Sequence, residues 1–317
     1  MNTRRLLFRL AVLPAVLALA ITISASALAQ KPKGKSGGDK VTELFNEGVK
    51  LQNEGQVDAA IEKYTEAINA SAKEYQSLAN RGGLYRAKGI ELRENVGSND
   101  PALKAEAAAK AEEQFALSVA DYDAAIKISP TTDYLFLGRA ATQSTRGKYD
   151  LALADYDEYI KLKPNEARGY NDRGTVYNEM AKVEKASEKS PDAGIKKSAP
   201  TFDKAIADFS KAVELDPKYV LGYVNRASCY TQLLKLEDAL ADFAKALEID
   251  PNYWRAYRGR SEIYRALADD AKRTGDSAKA AEYAALQKQN YDKYIDIQSH
   301  PPVPTPTPAP TPAPKKK

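Results

Sequence analysis

Histidine and cysteine are almost missing from this chain of 317 residues, which holds one of each, His300 and Cys229. A single cysteine excludes an intramolecular disulfide and any cysteine-based metal cluster. With one histidine as well, no usable His or Cys dyad is left for nucleophilic catalysis. Glycine-rich phosphate loops and zinc-ligand spacings are lacking too. Carboxylates do occur in pairs, Asp121/Asp123 and Asp155/Asp157. They alternate along a helix rather than converge, and read as a solvated face. Cys229 reads as a small core residue and His300 as a solvated one. An enzyme, a cofactor and a metal are therefore not expected.

Charge of one sign is also missing from the body of the chain. The formal net charge of +4 comes from the ends, because residues 41–300 hold 37 basic and 42 acidic residues. That excess of acid argues against a basic nucleic-acid face. Arg4, Arg5 and Arg9 precede an apolar run from Leu10 to Ile23, and Ala27-Leu28-Ala29 follows it. A positive start, a short apolar core and a small-x-small site read as a signal peptide over 1–29, with a mature start near Gln30. The run is shorter than the roughly 20 residues a membrane span needs. The expected location is thus periplasmic or secreted, with no stable membrane span after cleavage. Residues 30–40 read as a disordered basic linker. Residues 300–317 read as a Pro-rich disordered tail, extended in the polyproline manner and ending in three lysines.

What is present is a repeated phrase: NRG or a close variant, then later "ADY" or "ADF", closing at Pro130, Pro164, Pro217 and Pro251. Two of those intervals are 34 residues, a period that marks stacked helix hairpins. Six repeats can be laid out, starting at Val41, Tyr75, Asp133, Ala167, Val220 and Trp254. Small residues recur at Gly48, Gly82, Ala140, Gly174, Ala227 and Ser261, and an aromatic at Tyr64, Tyr122, Tyr156, Phe209 and Phe243. The sixth repeat resumes near Tyr291. Small residues let two helices approach closely, the ring fills the volume between hairpins, and proline stops the second helix.

This pattern resembles the tetratricopeptide repeat family over residues 41–299. The resemblance implies an all-α right-handed superhelix of about six antiparallel hairpins, a solenoid that presents surfaces rather than catalyses. Repeats two, four and six carry about 24, 19 and 14 extra residues between their helices relative to the 34-residue frame. Alternate hairpins are therefore lengthened, and every second one is expected to protrude from the same edge. Breaks are expected at Gly97–Pro101, at Ser190-Pro191, again near Ser198–Pro200, and at Thr274–Asp276. Tyr159 and Tyr294 stand where the family favours alanine; a core adjustment and a ligand-facing ring are both open. The last helix is expected to cap itself, with pairing to another chain as the alternative.

The resemblance also implies a groove lined by the first helices. Carried over, its lining includes Asn53, Arg86, Tyr134, Arg168, Asn171, Asn178, Glu179, Thr231, Arg255, Arg258, Glu262 and Arg265. The middle is polar and amide-rich. Arg255, Arg258 and Arg265 gather near the far end, where a carboxylate or acidic segment would be gripped. The paired Asn80/Arg81, Asp172/Arg173 and Asn225/Arg226 are expected to be structural. The chain thus reads as an exported scaffold that binds a protein or peptide partner. The alternative is an envelope-polymer (peptidoglycan) binder, its basic ends in weak contact with anionic polymer.

Overall fold

The computed structural model describes residues 38–97 and 100–300; the expected signal peptide, most of the expected basic linker and the expected disordered tail lie outside the described residues. Twelve helices form six antiparallel hairpins among those residues. The short ones are α1 (Gly38–Asn53) with α2 (Val57–Ala70), α5 (Asp133–Thr145) with α6 (Tyr149–Leu162), and α9 (Val220–Gln232) with α10 (Leu236–Ile249). The long ones are α3 (Tyr75–Glu94) with α4 (Pro101–Ile128), α7 (Ala167–Ala186) with α8 (Pro191–Leu215), and α11 (Trp254–Thr274) with α12 (Ser277–Ser299). The chain falls into two compact units, one ending at Tyr219 and one starting at Val220. Within each, every helix packs on the next in sequence, the stacking of a helical-repeat solenoid.

Local chemistry sets most boundaries. Asp100 accepts a hydrogen bond from the Ala102 amide at 2.9 Å, and Ser190 from the Ala193 amide at 3.2 Å. Each is followed by proline at the first helical position, where the missing N–H costs nothing. Asp216 and Asp250 end α8 and α10, and each carboxylate then accepts from the amide two residues on, at 2.9 Å. The prolines between them block further helix. α1 begins at Gly38, so residues 38–40, expected in the linker, form its first turn; a first turn needs no acceptors for its own N–H groups within the helix.

One expected break is absent. α8 runs through Pro200 without interruption. Its buried residues Gly194, Ser198, Phe202 and Ala205 recur on one face, and Phe202 is fully enclosed. That continuous face outweighs the roughly 3 kcal/mol a helix-interior proline costs, and the Pro200 ring itself is exposed.

The Asp pairs read as a solvated face are instead half of a ladder. Arg81 forks onto Asp121 at 2.9 and 2.7 Å, and Arg139 onto Asp155 at 2.9 and 2.6 Å. Arg173 does the same to Asp208 and Arg226 to Asp242. Those four carboxylates are buried. The remaining guanidinium nitrogen reaches back to the preceding hairpin: Arg81 to Thr65 at 2.8 Å, Arg139 to Asp123 and Arg173 to Asp157, both at 2.6 Å. The first hairpin carries the same rung with its charges exchanged, Glu47 and Lys63 at 3.6 Å. In the sixth, Asn290 takes the place of the aspartate and turns its amide to the Leu286 carbonyl at 2.7 Å.

The lengthened second hairpin is pinned as well. Arg93 donates to the Thr145 carbonyl at 2.8 Å and lies over the Phe115 ring, while Arg146 pairs with Glu112. Both contacts clasp the α5–α6 turn.

Two outcomes follow for stability. Arg139→Ala leaves Asp155 buried and uncompensated, so it is expected to lower the unfolding free energy by about 3 kcal/mol, the scale for breaking a buried pair. Lys161→Ala, which removes an exposed pair with Glu158, is expected to leave the unfolding midpoint unchanged. Urea unfolding followed by circular dichroism separates the two. At the α9–α10 turn Leu234 adopts φ 60°, where the equivalent turns use Gly55 and Gly147. Leu234→Gly removes a left-handed cost of about 1–2 kcal/mol and loses part of it to glycine's unfolded-state freedom. A net gain of about 0.5–1 kcal/mol is expected in the same assay.

Candidate polar groove

Within each compact unit, the aromatic of a second helix wedges between its own first helix and the first helix that follows it in the same unit. At Gly138 a Cβ would lie 2.3 Å from the Tyr122 ring, and at Gly259 2.3 Å from the Phe243 ring. Where the ring is tyrosine, its hydroxyl emerges among the first helices. Tyr64 is fully satisfied there: it donates to Gln52 Oε1 at 2.9 Å and accepts from Asn80 Nδ2 at 3.0 Å.

One hairpin on, both partners change. Arg86 stands in the frame where Gln52 stood, and Gly138 where Asn80 stood. Arg86 is partly buried, and its Nε is enclosed with no hydrogen-bond partner. Its charge lies near enough to the Tyr122 and Tyr156 hydroxyls to draw both down, although burial wins and pushes Tyr122 up to about 12 and Tyr156 above the usual range. Tyr134 also belongs here, its hydroxyl enclosed beside Tyr75 and Tyr122. Arg168 and Asp172 also lie near enough to Tyr156 to act on it electrostatically. Arg86, Tyr122, Tyr134, Tyr156 and Arg168 thus gather hydrogen-bond donors around a small region of the first unit.

Asn171 and Asn178 lie on α7 in the same unit, and both are buried. Asn171 donates to Asp172 at 3.0 Å and Asn178 to Glu179 at 3.4 Å. Asn53, at the end of α1, is exposed. In the second unit, Thr231 turns its hydroxyl back to the Ala227 carbonyl at 2.9 Å. Arg255 lies over the Trp254 ring at 5.2 Å, Arg258 pairs with Glu262 at 3.0 Å, and Arg265 is exposed. Of the three arginines, two are therefore engaged with their own helix.

Tyr159 resolves to a core ring: it is buried, and the backbone of Gly169 lies against it. Sequence reasoning missed Tyr122, Tyr156 and Asp172 as members of the polar cluster. The signal was available in the choice of tyrosine over phenylalanine at the wedge position. A tyrosine there delivers a hydroxyl to the opposite face, and a phenylalanine does not.

Asp172 makes a test of this environment. It is 5% exposed, and burial pushes its carboxyl up against the pull of Arg168 and Asn171. A carboxyl raised above its unfolded value contributes most stability below that value, near 4, and the contribution is lost as pH rises through the folded value. Asp172→Asn is accordingly expected to be more stable than the parent at pH 7 and equal to it near pH 4. Denaturation across that range checks it; an equal difference at both ends means that the carboxyl does not titrate as argued.

The tetratricopeptide repeat family model matches residues 220–253. A solved MamA structure is 18% identical, covering 68% of this chain and 94% of its own, with a TM-score of 0.48. MamA from Desulfovibrio magneticus RS-1, residue 41 to its end, is 17% identical, covering 69% and 99%, with a TM-score of 0.49. YrrB, described as a TPR protein with an unusual peptide-binding site, is 15% identical over 71% and 97%, with a TM-score of 0.46. No curated protein sequence matches the chain. The matched stretch carries Ala227, Ala239, Phe243, Ala246 and Pro251 in register; residues 220–253 are a tetratricopeptide repeat, and the hairpins around them are built on the same plan.

Proposed function

We propose that the chain is an exported interaction scaffold that binds an extended segment of a protein or peptide partner along its first helices. The observation that carries this reading is Arg86. It holds a partly buried guanidinium with an enclosed, unpartnered Nε, near the Tyr122 and Tyr156 hydroxyls. Leaving such a donor unsatisfied costs about 1–3 kcal/mol or more. An incoming acceptor recovers that energy. Carboxylates and backbone carbonyls of an extended segment supply acceptors, and a carboxylate fits arginine best.

The reading is non-catalytic. Cys229 is buried in α9, and His300 is solvated beside Asp296 at 3.6 Å. No described helix is long and apolar enough to cross a membrane. Export rests on the signal-like start, and the supporting test is made in the intact envelope.

Cross-linking there, then titration of the trapped segment as a purified peptide, tests both location and site. Arg86→Ala is expected to weaken binding about 10- to 100-fold, the scale of a charge-assisted hydrogen bond. Lys161→Ala is expected to leave it unchanged. Binding indifferent to Arg86→Ala sinks the groove reading. Retention on purified sacculi by a chain lacking both basic ends supports the envelope-polymer reading instead.

A further inference from the structure

The last described hairpin presents an unpaired stacking face. Tyr291 stands at the wedge position, where Tyr64, Tyr122, Tyr156, Phe209 and Phe243 are all buried. No described helix follows α12, and Tyr291 is 48% and Ile295 41% exposed. The expected self-capping by this helix therefore does not occur. Tyr294 and Trp254 extend the face: Tyr291 to Tyr294 is 5.9 Å between ring centroids, and Tyr294 to Trp254 is 5.8 Å. Three rings form a continuous ridge, with Arg255 over the far end.

We propose that residues 301–317 of this chain fold back and lay their prolines across the ridge Trp254–Tyr294–Tyr291. Position favours this occupant. α12 ends at Ser299, five residues past Tyr294, and eight prolines follow from Pro301 onward. Chemistry favours it as well. A polyproline helix offers flat pyrrolidine faces already ordered, and aromatic surfaces are its usual receptors. Tethering raises its effective concentration to about the millimolar range.

Reach and charge agree with that path. Residues 301–314 span about 43 Å at roughly 3.1 Å per residue, and the 23 residues of α12 span about 35 Å. A chain running back along α12 brings Lys315, Lys316 and Lys317 to the α11–α12 turn. Asp269, Asp270 and Asp276 gather there, held only by pairs with near sequence neighbours, Lys272, Arg273 and Lys279. Exposed pairs of that kind exchange partners at little cost.

Trp254 is the only tryptophan, so the ridge reports on itself. Acrylamide quenching is measured on the full chain and on the full chain with Pro304, Pro306, Pro308 and Pro310 replaced by serine. The substituted chain is expected to show a red-shifted emission and a quenching constant about twofold higher, as one face of the indole comes free. Tyr291→Ala, with helicity checked by circular dichroism, is expected to move the signal the same way. In 1 M salt, where the Debye length falls to about 3 Å, the parent is expected to shift partway. Equal quenching in the parent and the serine-substituted chain at equal helicity overturns the proposal. So does quenching that varies with protein concentration alongside a doubled sedimentation mass, which assigns the face to a second copy of the chain.

Discussion

Packing within each compact unit turns on rings set between two first helices. Gly138 and Gly259 admit no side chain because the Tyr122 and Phe243 rings occupy that space. A ring shared in this way belongs to two hairpins at once. Neither hairpin can bury it alone, so stability is a property of neighbours rather than of single units. The wedge also fixes register, since a helix turned by one residue would meet the ring with a bulky side chain instead of a small one.

The polar ladder is a consequence of that register. The aspartate directly before the wedge residue sits at the hairpin seam, where water is scarce and a carboxylate needs a strong partner. The arginine directly before the close-packed small residue lies opposite it in four hairpins. Its planar fork fits the carboxylate with two bonds and still spares a nitrogen for the previous hairpin. Lysine cannot serve both neighbours in this way. The reversed Glu47–Lys63 rung stands in the first hairpin, where the helix has no earlier described hairpin to reach.

Much of this was legible in the sequence. The six hairpins, the alternation of short and long, and the Asp-Pro stops follow from spacing and from elementary backbone chemistry. The ladder was hidden because charge at alternate positions of a helix usually means solvent. The constant interval of 16 residues from Arg139 to Asp155 and from Arg226 to Asp242 was the overlooked clue. Insertions stretch it to 40 and 35 in the lengthened hairpins, which concealed the repeat. The uninterrupted α8 was unreadable for a different reason. Proline speaks only about its own backbone, whereas the packed face on either side of Pro200 is a tertiary property.

The same ring explains where the surface becomes reactive. A wedge phenylalanine ends inside the stack, so Phe209 and Phe243 hand nothing to the opposite face. A wedge tyrosine carries a hydroxyl through, and its neighbours must then supply partners. Gln52 and Asn80 do so for Tyr64. For Tyr122 the equivalent residues are Arg86 and Gly138, one a donor only and the other without a side chain. The stack is satisfied at one wedge and left open at the next, where a donor-only arginine and a glycine replace the two amide side chains. At Tyr291 the wedge is complete on one side only, so the exposed part is the ring face rather than a hydroxyl. Open polar and apolar surfaces thus arise from one structural device, according to which part of the tyrosine its neighbours leave uncovered.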